Sequence, residues 1–554
     1  MMKMYMFCGV GSCFSVRSRG LTTLVVSLVL LTFSCTRRVQ GLPFPAPDFK
    51  NCNNSEGCCP PPYHGALIQD FYVFDTTLPM RIRQPAHLLD DAYIAKYQRA
   101  YQLLRELPES DGRSWEYQAK LHCAYCDAAF YVPMDKSRLE IHFGWLFFAW
   151  HRFYLYFHER ILAKLLDDDT FALPFWNWDN QSTDPPLANV LPYAFANKKY
   201  QNKSSSLYDV NRNECTKRPN IIDFQATLEC VNQTPTIKAS LREANNRIMY
   251  NQMVTGAPIS RLFFGESYKL GGLAGLGAGT IEAIPHGTVH FWTGNPPQAK
   301  VPFVDMGIFR YSAYDPIFFA HHGNVDRIWE VWKALPGGNR KDITDSDYLN
   351  SEFLFYDENG NLVKVKISQA LNHISTLRYK YADAPNLWIH NGSDAAFKSC
   401  FPASTSEINK LILNTHTLNT NSLNTFANST ITFSVQRPAK KQLHAEEVLV
   451  IGGLNLTGIE VHFLINAFLY FPTANVNTSI TCPQFFGKVS NSAVMFGDMV
   501  PNSKKEWRLA LTTKLQSLSM DHFSHVVVTL VEASGVFPPY LPVELTAKIV
   551  YFEY

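Results

Sequence analysis

Hydrophobic positions divide the chain into regions of different texture. From about residue 84 to 180 apolar side chains recur at helical spacing, most densely in IHFGWLFFAWHRFYLYFHERILAKLL (141–166). Apolar residues occupy nearly every side of that segment, which predicts a helix buried all round. Helical periodicity returns near 241–254 and at 313–335, the latter beyond the Gly-rich GGLAGLGAG (271–279). Polar sequence at 181–240 predicts surface loops, and the Pro- and Cys-rich stretch 42–80 predicts irregular structure. Residues 391–440, heavy in Asn, Ser and Thr, read as an exposed linker. Past it, VLVIGGLNL (448–456), VHFLINAFLY (461–470), HVVVTLV (525–531) and LTAKIVYFEY (545–554) combine β-branched and aromatic residues in partial alternation, which predicts strands and a small β domain. No internal repeat is visible.

The N-terminus has a different pattern. Arg17 and Arg19 precede the apolar run LTTLVVSLVLLTF (21–33), and a short polar stretch leads to Val39-Gln40-Gly41. The run is too short to span a bilayer comfortably and has the layout of a signal peptide over 1–41. Eight N-glycosylation sequons, at Asn53, Asn180, Asn202, Asn232, Asn391, Asn428, Asn455 and Asn477, suit the same secretory route. The expected destination is the vacuole, with the extracellular space as the alternative, and no membrane attachment once the signal is removed. Of 12 Cys, Cys8, Cys13 and Cys35 fall in that signal, and the odd remainder leaves at least one cysteine outside any intrachain disulfide. A net charge of only +2 gives no electrostatic reason to expect nucleic acid as a partner.

Candidate chemistry lies with histidine. His122, His142 and His151 sit among aromatics; His286 and His290 stand at i and i+4 in PHGTVHFW, so a helix would project both from one face. The adjacent pair His321 and His322 follows, with Asp326 one turn on, placed to orient an imidazole or the neighbouring Arg327. All-imidazole ligation suits Zn, Cu, Fe or Ni, and the spacing alone does not choose among them.

Two long segments do. HFGWLFFAWHRFYLYFHE (142–159) and DPIFFAHHGNVD (315–326) resemble the first and second copper signatures of tyrosinases and catechol oxidases. HCAYC (122–126), FALPFWNWD (171–179), IEAIPHGTVH (281–290) and DYLNSEFLFYDENG (347–360) extend the resemblance to the plant polyphenol oxidases over nearly the whole mature chain. The resemblance implies a mainly α catalytic domain (42–390) built as a helical bundle around a dinuclear copper site. A linker open to proteolysis (391–440) and a small β-sandwich-like C-terminal domain that shields the site (441–554) would follow.

It further implies two copper ions, the first held by His122, His142 and His151 and the second by His286, His290 and His322, with His321 supporting. Asp326 and Glu159 fall on positions behind the ligands. Cys126 would join His142 through a thioether, and Cys52–Cys59 and Cys58–Cys123 would be disulfides, leaving Cys215, Cys230, Cys400 and Cys482 for two more of open pairing. Phe309 matches a gate residue over the second copper, and Glu282 a carboxylate that holds water near it. Gly287, where some members carry Asn, has no side chain to hold that water, which favours diphenols over monophenols. Arg83 with Tyr379 and Tyr381 matches a clamp between the ends of the catalytic domain. The tail departs from the family: Asp347-Tyr348-Leu349 stands for Asp-Trp-Leu, and Gly458-Ile459-Glu460-Val461 for Lys-Phe-Asp-Val.

The implied activity is oxidation of o-diphenols to o-quinones with reduction of O2 to water, latent until an activating protease removes the C-terminal domain. The alternatives are a monophenol hydroxylase of aurone-like biosynthesis and, in a different class, a non-catalytic O2-binding copper protein.

Overall fold

The structure, a computed structural model, describes residues 41–554 apart from 56, 63–66, 73–76, 133–138, 226–231, 273–276, 295–303, 402–403, 419–421, 428, 454–463, 491–505 and 534–539. The expected signal segment, Cys230, the sequons at Asn428 and Asn455 and the Gly458–Val461 departure lie outside the described residues.

Helices α1 (Asp91–Glu106), α2 (Trp115–Cys126) and α3 (Leu146–Leu166) open the catalytic region. Asp90 and Ser114 accept the backbone N–H groups of Tyr93 and Tyr117, supplying side-chain oxygens for donors that a helix start leaves unpaired. Every residue of α3 from Leu146 to Ala163 is buried, as the all-round apolar pattern requires, and left-handed Asp167 (φ 54°) ends the helix. Helix α4 (Pro235–Tyr250) begins with Thr234 as cap and Pro235 in its first turn, α5 (Gly287–Thr293) is short, and α6 (Ile317–Ala334) packs against α3. The stretch 181–240 is largely irregular, as expected. It is nonetheless anchored, because Val190, Phe195, Leu207, Ile221, Ile222 and Phe224 are buried.

Arg81–Arg83 and Tyr379–Tyr381 form a parallel two-stranded pair that ties the ends of this region together. The Arg83 guanidinium lies 3.6 Å from the Tyr379 ring centroid, a cation–π contact, and donates to the Tyr381 hydroxyl at 2.9 Å.

The C-terminal region is β-rich. Eight strands pair antiparallel in the spatial order Phe485–Ser490, Leu464–Leu469, His525–Glu532, Thr430–Gln436, Ser422–Ala427, Tyr540–Glu553, Ala445–Gly452, Trp507–Ala510. The last strand of the chain serves two partners: residues 540–545 pair with Ser422–Ala427 and residues 546–553 with Ala445–Gly452.

Two expectations need correction. The supposed linker 391–440 contains helix α7 (Thr405–Asn414), opened by a Ser404/Glu407 capping box, and both Ser422–Ala427 and Thr430–Gln436 are strands of the sheet. Thr and Ser there are strand residues once partners 89 to 123 residues downstream supply the pairing. The sequon at Asn180 is also unusable in the folded chain: that residue is 5% exposed and its side chain caps a turn by accepting the Ser182 N–H. Asn202, Asn232, Asn391 and Asn477 are exposed.

Candidate metal centre

Seven histidines converge. His122 comes from α2, His142 from the turn before α3, and His151 from α3 itself; their possible ligand atoms lie within 4.8 Å of one another. His286 ends a π-type turn (Glu282–His286) that runs into α5, which carries His290, and α6 adds His321 and His322; these four form a second such group. The groups face each other, with the His151 and His322 rings stacked at 4.2 Å and the His142 and His286 rings 6.4 Å apart.

All seven are buried. Burial disfavours the imidazolium form, pushing His122 and His286 down to about 3 and the other five well below the usual range. Neutral imidazoles keep a lone pair for a metal. Backbone carbonyls hold several of the Nδ1 atoms: His151 bonds Phe147 O (2.8 Å), His286 bonds Glu282 O (3.0 Å) and His290 bonds Met306 O (3.2 Å). The Nε2 atoms of these three and of His321 are buried without a partner, as are both ring nitrogens of His122 and His322. Buried ring nitrogens without a protein partner are costly unless an ion or other partner takes their lone pairs.

The sequence was then compared with known proteins. Family models match consecutive stretches: the common central domain of tyrosinase at 112–335, the polyphenol oxidase middle domain at 342–393, and the chloroplastic polyphenol oxidase C-terminal domain at 425–538. A chloroplastic polyphenol oxidase of Vitis vinifera is 38% identical over 522 residues, covering 89% of this chain and 81% of the relative. Aureusidin synthase of Antirrhinum majus is 36% identical over 519 residues, 88% of this chain and 86% of the relative. The structure of latent apple tyrosinase superposes with a TM-score of 0.70 at 35% identity, covering 88% of this chain and 100% of that one.

The chain belongs to the plant polyphenol oxidases.

Copper is the metal of this type-3 family, and the residues here fit it: two facing sets of neutral, desolvated imidazoles with unpartnered nitrogens. The tail departures do not remove the relationship, since the middle- and C-terminal-domain models both match. Tyr348, in place of the family Trp, is fully buried against Trp145 with ring centroids 5.2 Å apart.

Around the histidines, the expected residues divide. The Phe309 ring lies 4.6 to 5.0 Å from those of His290, His286 and His142. Glu282 accepts the Phe143 N–H at 2.6 Å through Oε1, while Oε2 is buried and unpartnered; burial raises its carboxyl well above the usual range. Phe143 itself holds φ 59°, a strained value for a bulky residue, immediately after His142.

Asp326 and Glu159 are corrections. Neither touches a candidate ligand imidazole. Asp326 accepts from Arg152 (2.5 Å), the Tyr379 hydroxyl (2.6 Å), the Tyr381 hydroxyl and Arg83 (3.4 Å), while Glu159 accepts from Arg81 (2.7 Å), Arg83 (2.8 Å) and the Leu173 N–H (2.8 Å). Arg327 pairs with Asp179 instead, at 3.2 Å. These carboxylates are drawn away from the histidines by buried guanidiniums that must be neutralised.

Cys52–Cys59 and Cys58–Cys123 are disulfides, as the family resemblance implied. Cys400 pairs with Cys482, Cys215 is also disulfide-bonded, and Cys126 is free and buried.

Residues without a sequence signal complete the site. Leu464, from the C-terminal sheet, is 2% exposed and packs in one apolar cluster with Phe309, Phe291 and Cys126. Arg247 of α4 pairs with Asp394 (2.5 Å), which also takes Lys514 (2.8 Å) from the helix Thr512–Ser517 beside the sheet. Arg508 of the sheet pairs with Glu266 (3.0 Å). The β-rich region therefore lies over the histidine cavity.

Proposed function

We propose that this chain oxidises o-diphenols to o-quinones at its copper pair, with O2 reduced to water, and stays latent while the C-terminal sheet covers the cavity. Relatives are named polyphenol oxidase and catechol oxidase, and solved relatives are described as latent. The observation that carries the reading is the pair of facing imidazole groups beside Phe309, with Nε2 of His122, His151, His286, His290 and His322 buried and unpartnered.

The ligands in this reading are His122, His142 and His151 for one copper and His286, His290 and His322 for the other. Between the adjacent histidines, hydrogen bonding favours His322. Trp178 Nε1–H donates to His321 Nδ1 at 3.1 Å, so the neutral His321 ring carries its proton on Nε2 and has no lone pair left there. The copper pair, when bound, supplies O2 binding and accepts the two electrons of the catechol. The chain's own groups do the rest. Phe309 bounds the substrate position and excludes bulk, and the unpartnered Oε2 of Glu282 accepts a phenolic proton directly or through water. Cys126 lies beside this site for a thioether to His142. Gly287, lacking an amide side chain, tilts the chemistry towards diphenols.

A protease is the expected activator, and Cys400–Cys482 sets where it must cut. A cut before Cys400 leaves both cysteines on the departing piece; a cut beyond it leaves the sheet tied to the catalytic region. The secretory signal layout, exposed sequons and disulfides favour the vacuolar route, although many relatives are named chloroplastic. A fluorescent fusion of the full chain decides between vacuole and plastid.

The deciding experiment measures copper per chain and O2 uptake with catechol and tyrosine before and after limited proteolysis. Two coppers, low uptake before cleavage and catechol-dominated uptake after it are expected. A processed chain holding two coppers that never turns over catechol would leave an O2-binding protein instead.

A further inference from the structure

His142 is held differently from the other candidate ligands. His151 and His286 each direct Nδ1 to the carbonyl four residues earlier, Phe147 O and Glu282 O, an acceptor that helical geometry places there without a side chain. His290 uses Met306 O. His142 has no such acceptor, because it sits on the turn before α3, next to Phe143 at φ 59°. In its place stands Glu140. One oxygen, Oε1, lies 2.7 Å from the His142 N–H and 3.3 Å from His142 Nδ1, so backbone and ring of the same residue are fixed by one atom. Glu140 is 1% exposed, and its Oε2 has no partner. Among the described residues it is the one carboxylate bonded to a ring nitrogen of a candidate copper ligand.

We propose that Glu140 is the positioning residue of the first copper site: it holds the His142 Nδ1 proton, leaves Nε2 to the metal, and sets the ring's orientation towards Cys126. The inference rests on the ligand assignment proposed above. A carboxylate behind one imidazole of the first set, against backbone carbonyls or nothing behind the others, makes the two copper sites unequal. The carboxylate raises the basicity of its ligand, and removal of such partners weakens metal binding roughly 10- to 100-fold.

Orientation has its own readout. The expected thioether replaces the Cys126 S–H and a ring C–H of His142 by an S–C bond. Two protons leave to solvent and O2 takes the two electrons, so a linked chain is lighter by two hydrogen atoms. A ring turned away from Cys126 links poorly.

The test uses the full chain with Glu140→Ala and Glu140→Gln, each checked for wild-type folding by thermal melting of the metal-free protein. Copper stoichiometry is titrated against a chelator, and the peptide mass reports the link. Glu140→Ala is expected to lose one copper at roughly 10- to 100-fold higher free-metal concentration than wild type, while the other copper stays, and to link incompletely. Glu140→Gln, which keeps an oxygen but not the charge, falls between, and it decides the matter if the Ala variant does not fold. Two coppers bound as tightly as in wild type, with a complete link, would overturn the role of Glu140. A wild-type chain that binds no copper overturns the ligand assignment itself, a result the same titration separates.

Discussion

The helical region that carries the histidines and the sheet that covers them are stabilised in opposite ways. Behind the histidines the interior is charged: Arg81, Arg83, Arg152, Glu159 and Asp326 are all at most 3% exposed and neutralise one another across segments distant in the chain. The interior of the sheet is largely apolar, with Leu449, Ile451, Ile465, Leu469, Val526 and Val528 buried together and an Arg437–Glu447 pair at 2.7 Å. Several of its ionic contacts lie at the face turned to the helices, in Arg508–Glu266 and Lys514–Asp394–Arg247. Directional, desolvated pairs hold ligand-bearing helices in one arrangement but tolerate no missing partner. An apolar sheet fastened at its rim can be displaced as a unit. The contrast matches a rigid catalytic body under a removable cover.

That contrast breaks first at Asp326. Asp326→Asn keeps the shape of the side chain and leaves Arg152 and Arg83 without a full counter-charge, at an expected cost of about 3–5 kcal/mol. Denaturant unfolding of the metal-free chain measures it. A loss below about 1 kcal/mol would mean that the buried charges are not what holds α3, α6 and the Arg81–Arg83 strand together.

The cover is tested at Leu464. Leu464→Ala removes apolar volume over Phe309, at an expected cost of about 2–3 kcal/mol. A rigid-body and removable-cover arrangement predicts that this loss appears in the sheet while uncleaved enzyme gains catechol oxidation severalfold and still binds two coppers. Unchanged latent activity with the same stability loss would make Leu464 a packing residue and place the block elsewhere.

How much of this was legible beforehand follows the same division. The candidate ligand histidines stand in contiguous motifs, so the two clusters were readable, and so was the all-buried character of α3. Asp326 was misplaced because four-residue spacing on a helix suggests contact with His322, whereas its partners Arg152 and Arg83 lie 174 and 243 residues away in the chain. Glu159 was placed by the family resemblance alone, and its partners Arg81 and Arg83 lie 78 and 76 residues away. The polar run 391–440 looked unstructured because TITFSVQ becomes a strand only beside His525–Glu532, which the local pattern does not contain. Leu464 and Glu140 carry no motif at all; burial and distance identify them.

The smallest expected effect lies at the edge of the rigid body, where Asp209 and Asp305 face each other beside Arg212 and Asp315. Burial and the neighbouring Asp315 and Asp305 carboxylates push Asp209 up to about 8, from an ordinary 3.8, and Asp305 is raised as well. A raised carboxyl means that the folded chain keeps a proton the unfolded chain releases. The stability linked to that proton is therefore complete below about pH 4 and is lost as pH rises through about 8. Asp209→Asn removes the titration, so the stability difference between variant and wild type should move in the variant's favour from pH 4 to 9. Asp209 is only partly buried and keeps some solvation, so the expected change is about 1 kcal/mol, read as melting temperature against pH. If the two proteins instead keep a constant difference across that range, Asp209 is ionised throughout, and Arg212 beside it offsets the repulsion of the neighbouring carboxylates.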